Sequence, residues 1–80
     1  MVLIRFHGIL REESNVKEVE VGDGYINEIL NALPEGVKGV INKYSRYLLI
    51  LVNGKRVYST DKLLVSNGDV VDLTLPAGGG

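Results

Sequence analysis

The sequence contains no cysteine and a single histidine, His7. Without cysteine there is no disulfide, no thiolate metal ligand and no cysteine nucleophile. A metal site normally needs several converging ligands, so no metal is expected and His7 is interpreted as a surface residue. A chain that needs no disulfide is compatible with a reducing compartment, and we expect it to be cytoplasmic.

The chain also has almost no excess charge and no long hydrophobic run. Nine Lys and Arg face ten Asp and Glu, whereas nucleic-acid-binding proteins usually carry a basic excess that neutralises phosphates. The longest apolar run, Tyr47 to Val52, has six residues, and about 20 are needed to cross a bilayer. We expect no nucleic-acid partner, no membrane span and no signal peptide.

What the chain does have is apolar content in a small size, with 80 residues of which 45% are hydrophobic. This length corresponds to one domain. A domain of this size buries only about 60–65% of the surface that its unfolded chain exposes, so it needs a dense core. Little room remains for a deep catalytic cleft, and a self-contained enzyme is not expected.

The first third of the chain predicts two antiparallel strands. Residues 2–7 and 16–21 both alternate between apolar and polar positions, as expected of half-buried strands. The charged residues 11–14 between them predict a turn.

The middle of the chain predicts one main helix over residues 25–33. Its apolar residues recur at helical spacing, and they are Ile26, Ile29, Leu30 and Leu33. Asp23 is the expected N-cap, and Pro34 ends the helix. Residues 37–46 predict a short irregular helix or a loop, because Gly39 interrupts their apolar pattern.

The last third predicts three strands, over residues 47–52, 55–58 and 70–75. Asn53-Gly54 predicts a two-residue hairpin between the first two. Residues 60–64 are expected to connect, with Leu63 or Leu64 reaching the core, and 67–69 to turn tightly. The element order β-β-α-β-β-β predicts an α+β fold in which a mixed sheet of four to five strands wraps one main helix.

Five residues without an anchoring side chain follow the last predicted strand, namely Pro76, Ala77, Gly78, Gly79 and Gly80. We predict a domain over residues 1–75 and a flexible C-terminal glycine tail over 76–80. Glycine has no Cβ, so such a backbone can thread a narrow channel, and an unhindered terminal carboxylate can attack the α-phosphate of ATP. The alternative is a frayed end or a linker remnant.

The sheet face that the helix leaves uncovered supplies candidate partner-binding residues. Contiguous apolar area on such a face marks an interaction site, whereas scattered hydrophobic residues do not. The predicted residues are Leu3, Arg5, His7, Leu49, Leu51 and Val70. Asp69 and Asp72 point to different faces of the last strand and are not expected to form an acid/base pair.

Four segments together resemble the sulfur-carrier branch of the ubiquitin-like proteins, in particular the small subunit of molybdopterin synthase and archaeal small modifier proteins. The segments are Val2-Leu3-Ile4-Arg5-Phe6, Leu51-Val52-Asn53-Gly54, Asn67-Gly68-Asp69-Val70-Val71 and Pro76-Ala77-Gly78-Gly79-Gly80. The resemblance implies a β-grasp fold, in agreement with the predicted element order.

The resemblance further implies that the C-terminal carboxyl is the reactive group. Gly80 would carry first an adenylate and then a thiocarboxylate, Gly79 would complete the diglycine, and Pro76 matches the proline before it. The implied partners are an adenylating enzyme like those that activate ubiquitin, which uses ATP, and the large subunit of molybdopterin synthase or another sulfur acceptor. No cofactor bound to this chain is implied.

Several functions stay open at this point. Leu73-Thr74-Leu75 stands where the molybdopterin-synthase subunits often have aromatic residues, which leaves the subfamily undecided. The same activated tail would suit a modifier joined to lysines, or a sulfur carrier for tRNA thiolation or thiamine synthesis. A binding module with incidental glycines is the remaining alternative.

Overall fold

The alternating and periodic segments form strands and helices within residues 1–58 and 60–76, the part that the computed structural model describes. The strands are β1 (Val2–Phe6), β2 (Glu18–Val21), β3 (Gly24–Tyr25), β4 (Leu49–Val52), β5 (Lys55–Val57), β6 (Leu64–Val65) and β7 (Val70–Thr74). The helices are α1 (Gly8–Ser14), α2 (Ile26–Asn31), α3 (Glu35–Lys43) and a 3₁₀ turn at Ser45–Tyr47.

Five strands form one mixed sheet in the order β2-β1-β7-β4-β5, and β3 pairs with β6 in a separate two-stranded sheet. The first and last strands of the chain are parallel neighbours, with Leu3 opposite Val70 and Phe6 opposite Leu73. The other pairs in the large sheet are antiparallel. The predicted fold class, an α+β fold built on a mixed sheet of four to five strands, is confirmed.

The core lies between one face of this sheet and the helices. Residues two apart in a strand share a face, so the register collects the buried side chains of three strands, β1, β4 and β7, on the same side. They meet buried residues of all three helices, and the main contributors are Val2, Ile4, Phe6, Leu10, Ile26, Ile29, Leu33, Val37, Ile41, Ile50, Val71 and Leu73. Among the described residues, no polar or charged residue is buried.

The Asn53-Gly54 hairpin forms as predicted and also holds the start of β7. Both residues have positive φ, +50° and +84°, which a tight two-residue hairpin requires. The Asn53 side chain accepts a hydrogen bond from the Val70 N–H (2.9 Å) and donates one to the Asp69 carboxylate (2.9 Å). One asparagine therefore joins the turn to the neighbouring strand.

The prediction of a turn at 11–14 is wrong, because residues 8–14 form helix α1. Leu10 is fully buried and anchors this helix to the core. Glu13 accepts hydrogen bonds from the Lys43 ammonium (2.9 Å) and from the Tyr44 hydroxyl, which ties α1 to the end of α3. The helix is only seven residues long, so its sequence contains too few turns to show helical periodicity.

The helical segment after Gly22 differs from the prediction at its start. The Asp23 cap is wrong, because Gly24–Tyr25 extend into β3 and α2 begins at Ile26 without a side-chain cap. The helix is also shorter than 25–33, ending at Asn31. The predicted apolar stripe is nevertheless buried at Ile26, Ile29 and Leu33.

The structure also differs in detail from the prediction after Pro34, before β4 and before β6. Residues 35–43 form the regular helix α3, so the fold has three α-helices within the described residues rather than one. Tyr47 belongs to the 3₁₀ turn, and β4 starts at Leu49. Leu63 packs half-buried against the core, whereas Leu64 is exposed. No helix in the described ranges is both long and apolar enough to cross a membrane.

Truncating Leu10 tests the role of helix α1. Leu10→Ala removes a fully buried side chain and is expected to lower the free energy of unfolding by about 2–5 kcal/mol. Its neighbour Ile9 is 37% exposed, so Ile9→Ala is expected to cost less than about 1 kcal/mol. Urea unfolding followed by circular dichroism measures both. Equal losses would contradict the assignment of Leu10 to the core.

Candidate functional site

The face of the large sheet that points away from the helices, here called the outer face, collects the predicted partner-binding residues. Strand alternation places Leu3 and Arg5 of β1, Val70 of β7, and Leu49 and Leu51 of β4 on this side. His7 follows β1 at its end, and its ring reaches the same face. The structure thus brings together all six predicted residues.

The apolar residues of the outer face form two groups, one on the β1–β7 pair and one on β4. Leu3 lies opposite Val70 in the parallel β1–β7 pair. Leu49 and Leu51 lie on β4, opposite Thr74 and Asp72. All four apolar side chains are half-buried, so each leaves part of its surface open to a partner.

A charged cluster centred on Asp72 separates these apolar groups. Arg5 donates from Nε to Asp72 Oδ1 (2.7 Å) and from Nη2 to Oδ2 (3.1 Å), a bidentate ion pair. His7 Nε2 lies 2.7 Å from Asp72 Oδ1. A carboxylate only accepts hydrogen bonds, so this nitrogen is the one that carries the hydrogen.

The cluster keeps Asp72 ionised. The Arg5 hydrogen bonds hold the pKa of the Asp72 carboxyl below its usual value. Burial opposes them by raising this pKa, and the His7 hydrogen bond adds to the lowering. In return, the carboxylate raises the pKa of the Arg5 guanidinium. A carboxylate of lowered pKa stays ionised and is a weak general base.

Charges of alternating sign continue along this row of the sheet. Glu18 on β2 lies opposite Arg5, and Arg56 on β5 lies opposite Leu51. The row therefore reads Glu18, Arg5, Asp72, Leu51, Arg56 from one edge to the other. Such a pattern fixes the positions at which complementary charges of an incoming protein could pair, beside apolar contact area.

The base of the predicted tail leaves from the end of the central strand of this sheet. β7 is the central strand, and Pro76 follows its last residue, Thr74, by two positions. Leu75 and Pro76 are half-buried, and Leu75 packs against the core. The tail residues Ala77, Gly78, Gly79 and Gly80 lie outside the described residues, so their predicted role stays a prediction.

The described residues contain no group of three or more His, Cys, Asp or Glu placed to hold a metal ion. In the same ranges no polar or charged residue is buried.

Sequence reasoning missed Asp72 as the centre of the outer face. Strand alternation already put Asp72 on the same side as Val70 and Thr74, which was the available signal. Only the parallel register, in which Arg5 lies opposite Asp72, makes it the partner of a residue 67 positions earlier.

A mixed sheet whose first and last strands lie parallel at its centre, with the helices on one face, is the β-grasp fold of ubiquitin-like proteins. Solved structures share this fold over nearly the whole chain. SAMP1 from Haloferax volcanii has a TM-score of 0.71 and 23% identity, covering 99% of this chain and 98% of that one. A protein assigned as molybdopterin converting factor subunit 1 from Pyrococcus furiosus has a TM-score of 0.64 and 20% identity, covering 95% and 97%.

A third similar structure comes from a protein complex. It is a chain in the complex of subunits 1 and 2 of the molybdopterin-converting factor from Helicobacter pylori, with a TM-score of 0.67 and 22% identity, covering 99% of this chain and 97% of that one. No protein-family model and no curated protein sequence matches the chain. At these identities the likeness is one of fold, and it agrees with the resemblance found in the sequence.

Replacing Asp72 tests the charged cluster. Asp72→Asn is expected to lower the free energy of unfolding at pH 7 by about 1 kcal/mol, a modest loss because Arg5 and His7 are 47% and 46% exposed. The folded pKa of Asp72 is lowered, so its contribution is present above the ordinary aspartate pKa of about 3.9 and is lost as the pH falls through the folded value.

The difference between wild type and Asp72→Asn should therefore shrink on acidification. Urea unfolding between pH 7 and about pH 2.5 measures it. Asp23→Asn, at an exposed aspartate outside the cluster, is the matched control and should stay close to wild type throughout. A constant gap between Asp72→Asn and wild type across this range would contradict the assigned ion pairs.

Proposed function

We propose that this protein is a sulfur carrier that presents the C-terminal carboxyl of Gly80 to an adenylating enzyme and then delivers sulfur from a thiocarboxylate at that position. The observation that carries the proposal is the route of the chain. The central strand of a β-grasp sheet leads through Pro76 directly to a run of glycines, beside a face suited to docking.

The proposed chemistry needs two steps and no catalytic side chain from this protein. A carboxylate oxygen of Gly80 attacks the α-phosphorus of ATP, and pyrophosphate leaves. Hydrosulfide, or an equivalent donor of sulfur at that oxidation level, then attacks the acyl carbon and AMP leaves. No atom changes oxidation state in these two steps. The product is a thiocarboxylate anion, a nucleophile that needs no neighbouring base.

The glycines of the tail suit a deep, narrow active site but are costly to order. Fixing a backbone residue costs about 1–2 kcal/mol, and glycine loses the most freedom. The fixed φ of Pro76 reduces this cost at the base. The remaining cost has to be offset elsewhere, and contacts between a partner and the outer face are the proposed source.

Within this class, the most specific role that we propose is the small subunit of a molybdopterin synthase. Its support is the fold shared with a chain of the subunit 1–subunit 2 complex of the molybdopterin-converting factor. The proposed partners are a large subunit that receives the sulfur and a separate activating enzyme, which binds the ATP. The proposed location is the cytoplasm.

The state of the C-terminus in the native cell tests the proposal directly. Intact-mass and C-terminal peptide mass spectrometry should find a chain ending at Gly80 with one oxygen replaced by sulfur. Deleting Gly79 and Gly80 should abolish adenylation without changing the unfolding curve. Ala77→Ser, which keeps the glycines, is the control and should be adenylated normally.

Other results would reject the carrier role. Lysine-linked conjugates without a thiocarboxylate would instead identify a protein modifier. A mature chain whose reactive end lies elsewhere, or a shortened variant that is still adenylated at the wild-type rate, would overturn the assignment of Gly80.

The outer face has its own test, independent of the tail. Leu51→Ala removes an apolar contact beside Asp72, and we expect the KM for this protein in the adenylation reaction to rise about tenfold with little change in kcat. Leu64→Ala is the matched control, because Leu64 is 58% exposed and lies on the separate β3–β6 sheet. Equal effects of the two variants would show that docking occurs elsewhere.

A further inference from the structure

A groove of about 640 Å³ opens on the helix side of the sheet, at the edge formed by strand β5. α2, α3, the 3₁₀ turn and β4 complete its walls. Its apolar lining comes from core and half-buried residues of these elements, namely Leu30, Ile41, Leu48, Ile50 and Val57. The groove uses none of the six outer-face residues and lies at an edge strand, whereas the tail leaves the central strand.

The charges around this groove are mainly positive. Lys38, Arg46 and Arg56 line it together with one carboxylate, Glu28, although the whole chain has a net charge of −1. No ion pair within the described residues involves Arg46 or Arg56. The three cations therefore form a local positive site in a nearly neutral protein.

Two of these cations are held in place along the groove. The Lys38 side chain is only 25% exposed, and the carboxylate nearest its ammonium is the 93% exposed Glu35, at 3.8 Å. The guanidinium of Arg56 lies 4.9 Å from the centre of the Tyr58 ring. Side chains ordered in this way lose less entropy when they bind an anion.

The backbone of β5 adds a third feature. The Asn53 N–H donates to the Val70 carbonyl, and hydrogen-bonded positions alternate along an antiparallel strand. Leu51 therefore bonds toward β7, and Ile50 and Val52 bond toward β5. Arg56, opposite Leu51, is then left with its own N–H and C=O pointing away from the sheet, where an added strand would pair.

We propose that this groove binds an extended acidic segment of a partner protein. Where the segment pairs with the edge of β5, its side chains alternate between the two sides of the sheet, so apolar side chains enter the groove and the carboxylates between them meet Arg56. Beyond that short pairing, a carboxylate of the segment would bind Lys38 and Arg46. The apolar lining fits a mixed acidic and apolar peptide better than the uniform phosphates of a nucleic acid. This site goes beyond the proposed carrier function and needs neither Gly80 nor any of the six predicted outer-face residues, and Arg56 lies at the edge between the two surfaces.

The experiment uses the full chain and a fluorescein-labelled peptide of about eight residues that alternates glutamate and valine. Fluorescence anisotropy measures its affinity for wild type and for the double variant Arg46→Glu/Arg56→Glu. The matched control, Arg11→Glu/Lys17→Glu, changes the net charge equally at exposed sites away from the groove. We expect the groove variant to bind at least about tenfold more weakly than wild type, and the control to bind within about twofold.

Amide chemical-shift mapping with the same peptide locates the site. The expected shifts fall on residues 27–31, 38–48 and 55–58, with those of 3–7 and 70–74 unchanged. Equal losses in both double variants, shifts confined to the outer face, or equal binding of a serine–valine peptide would overturn the proposal. So would a single-stranded oligonucleotide that shifts the groove residues when the acidic peptide does not. Adenylation of the tail is unaffected by any of these outcomes, so the two proposals fail separately.

Discussion

The parallel pairing of β1 with β7 is the contact on which the rest of the structure depends. It joins the two ends of the domain at the centre of the sheet, with Leu3 opposite Val70 and Phe6 opposite Leu73. Parallel neighbours need a long crossover, and here the intervening chain carries the three helices that cover one face. The same pairing brings Arg5 to Asp72 and makes the strand that precedes Pro76 a central one. The core, the outer face and the base of the tail therefore share one cause.

A small apolar core has a direct consequence for function. All the residues buried within the described ranges are hydrophobic, as a domain of this size requires to offset its conformational entropy. Ionisable groups are consequently confined to surfaces, where they form the Asp72 cluster, the Glu13 contacts between α1 and α3, and the cations around the groove.

The outer face and the groove differ in the state of their charged side chains. The outer face pairs its charges internally, since Asp72 already holds Arg5 and His7. It therefore offers its shape, its apolar area and a fixed arrangement of charges that are already paired with one another. The groove keeps Arg46 and Arg56 outside the ion pairs of the described residues, and so attracts an acidic partner.

Short-range patterns determined much of this architecture from the sequence alone. Alternation predicted β1, β2 and β7, helical spacing predicted the stripe of Ile26, Ile29 and Leu33, and Asn53-Gly54 predicted its hairpin, because these features depend on backbone geometry within a few residues. The six outer-face candidates followed from the same alternation. Helix α1, by contrast, is stabilised by the burial of Leu10 and by contacts of Glu13 with α3, which no seven-residue pattern reveals.

Only the tertiary structure decided which strands are neighbours. The β1–β7 register joins residues more than 60 positions apart, so the Asp72 cluster exists only once the chain has folded. The edge position of β5 and the groove beside it depend on the same long-range order. Sequence periodicity indicates which side of a strand or helix is buried, whereas the packing of the whole core decides which strands pair with each other.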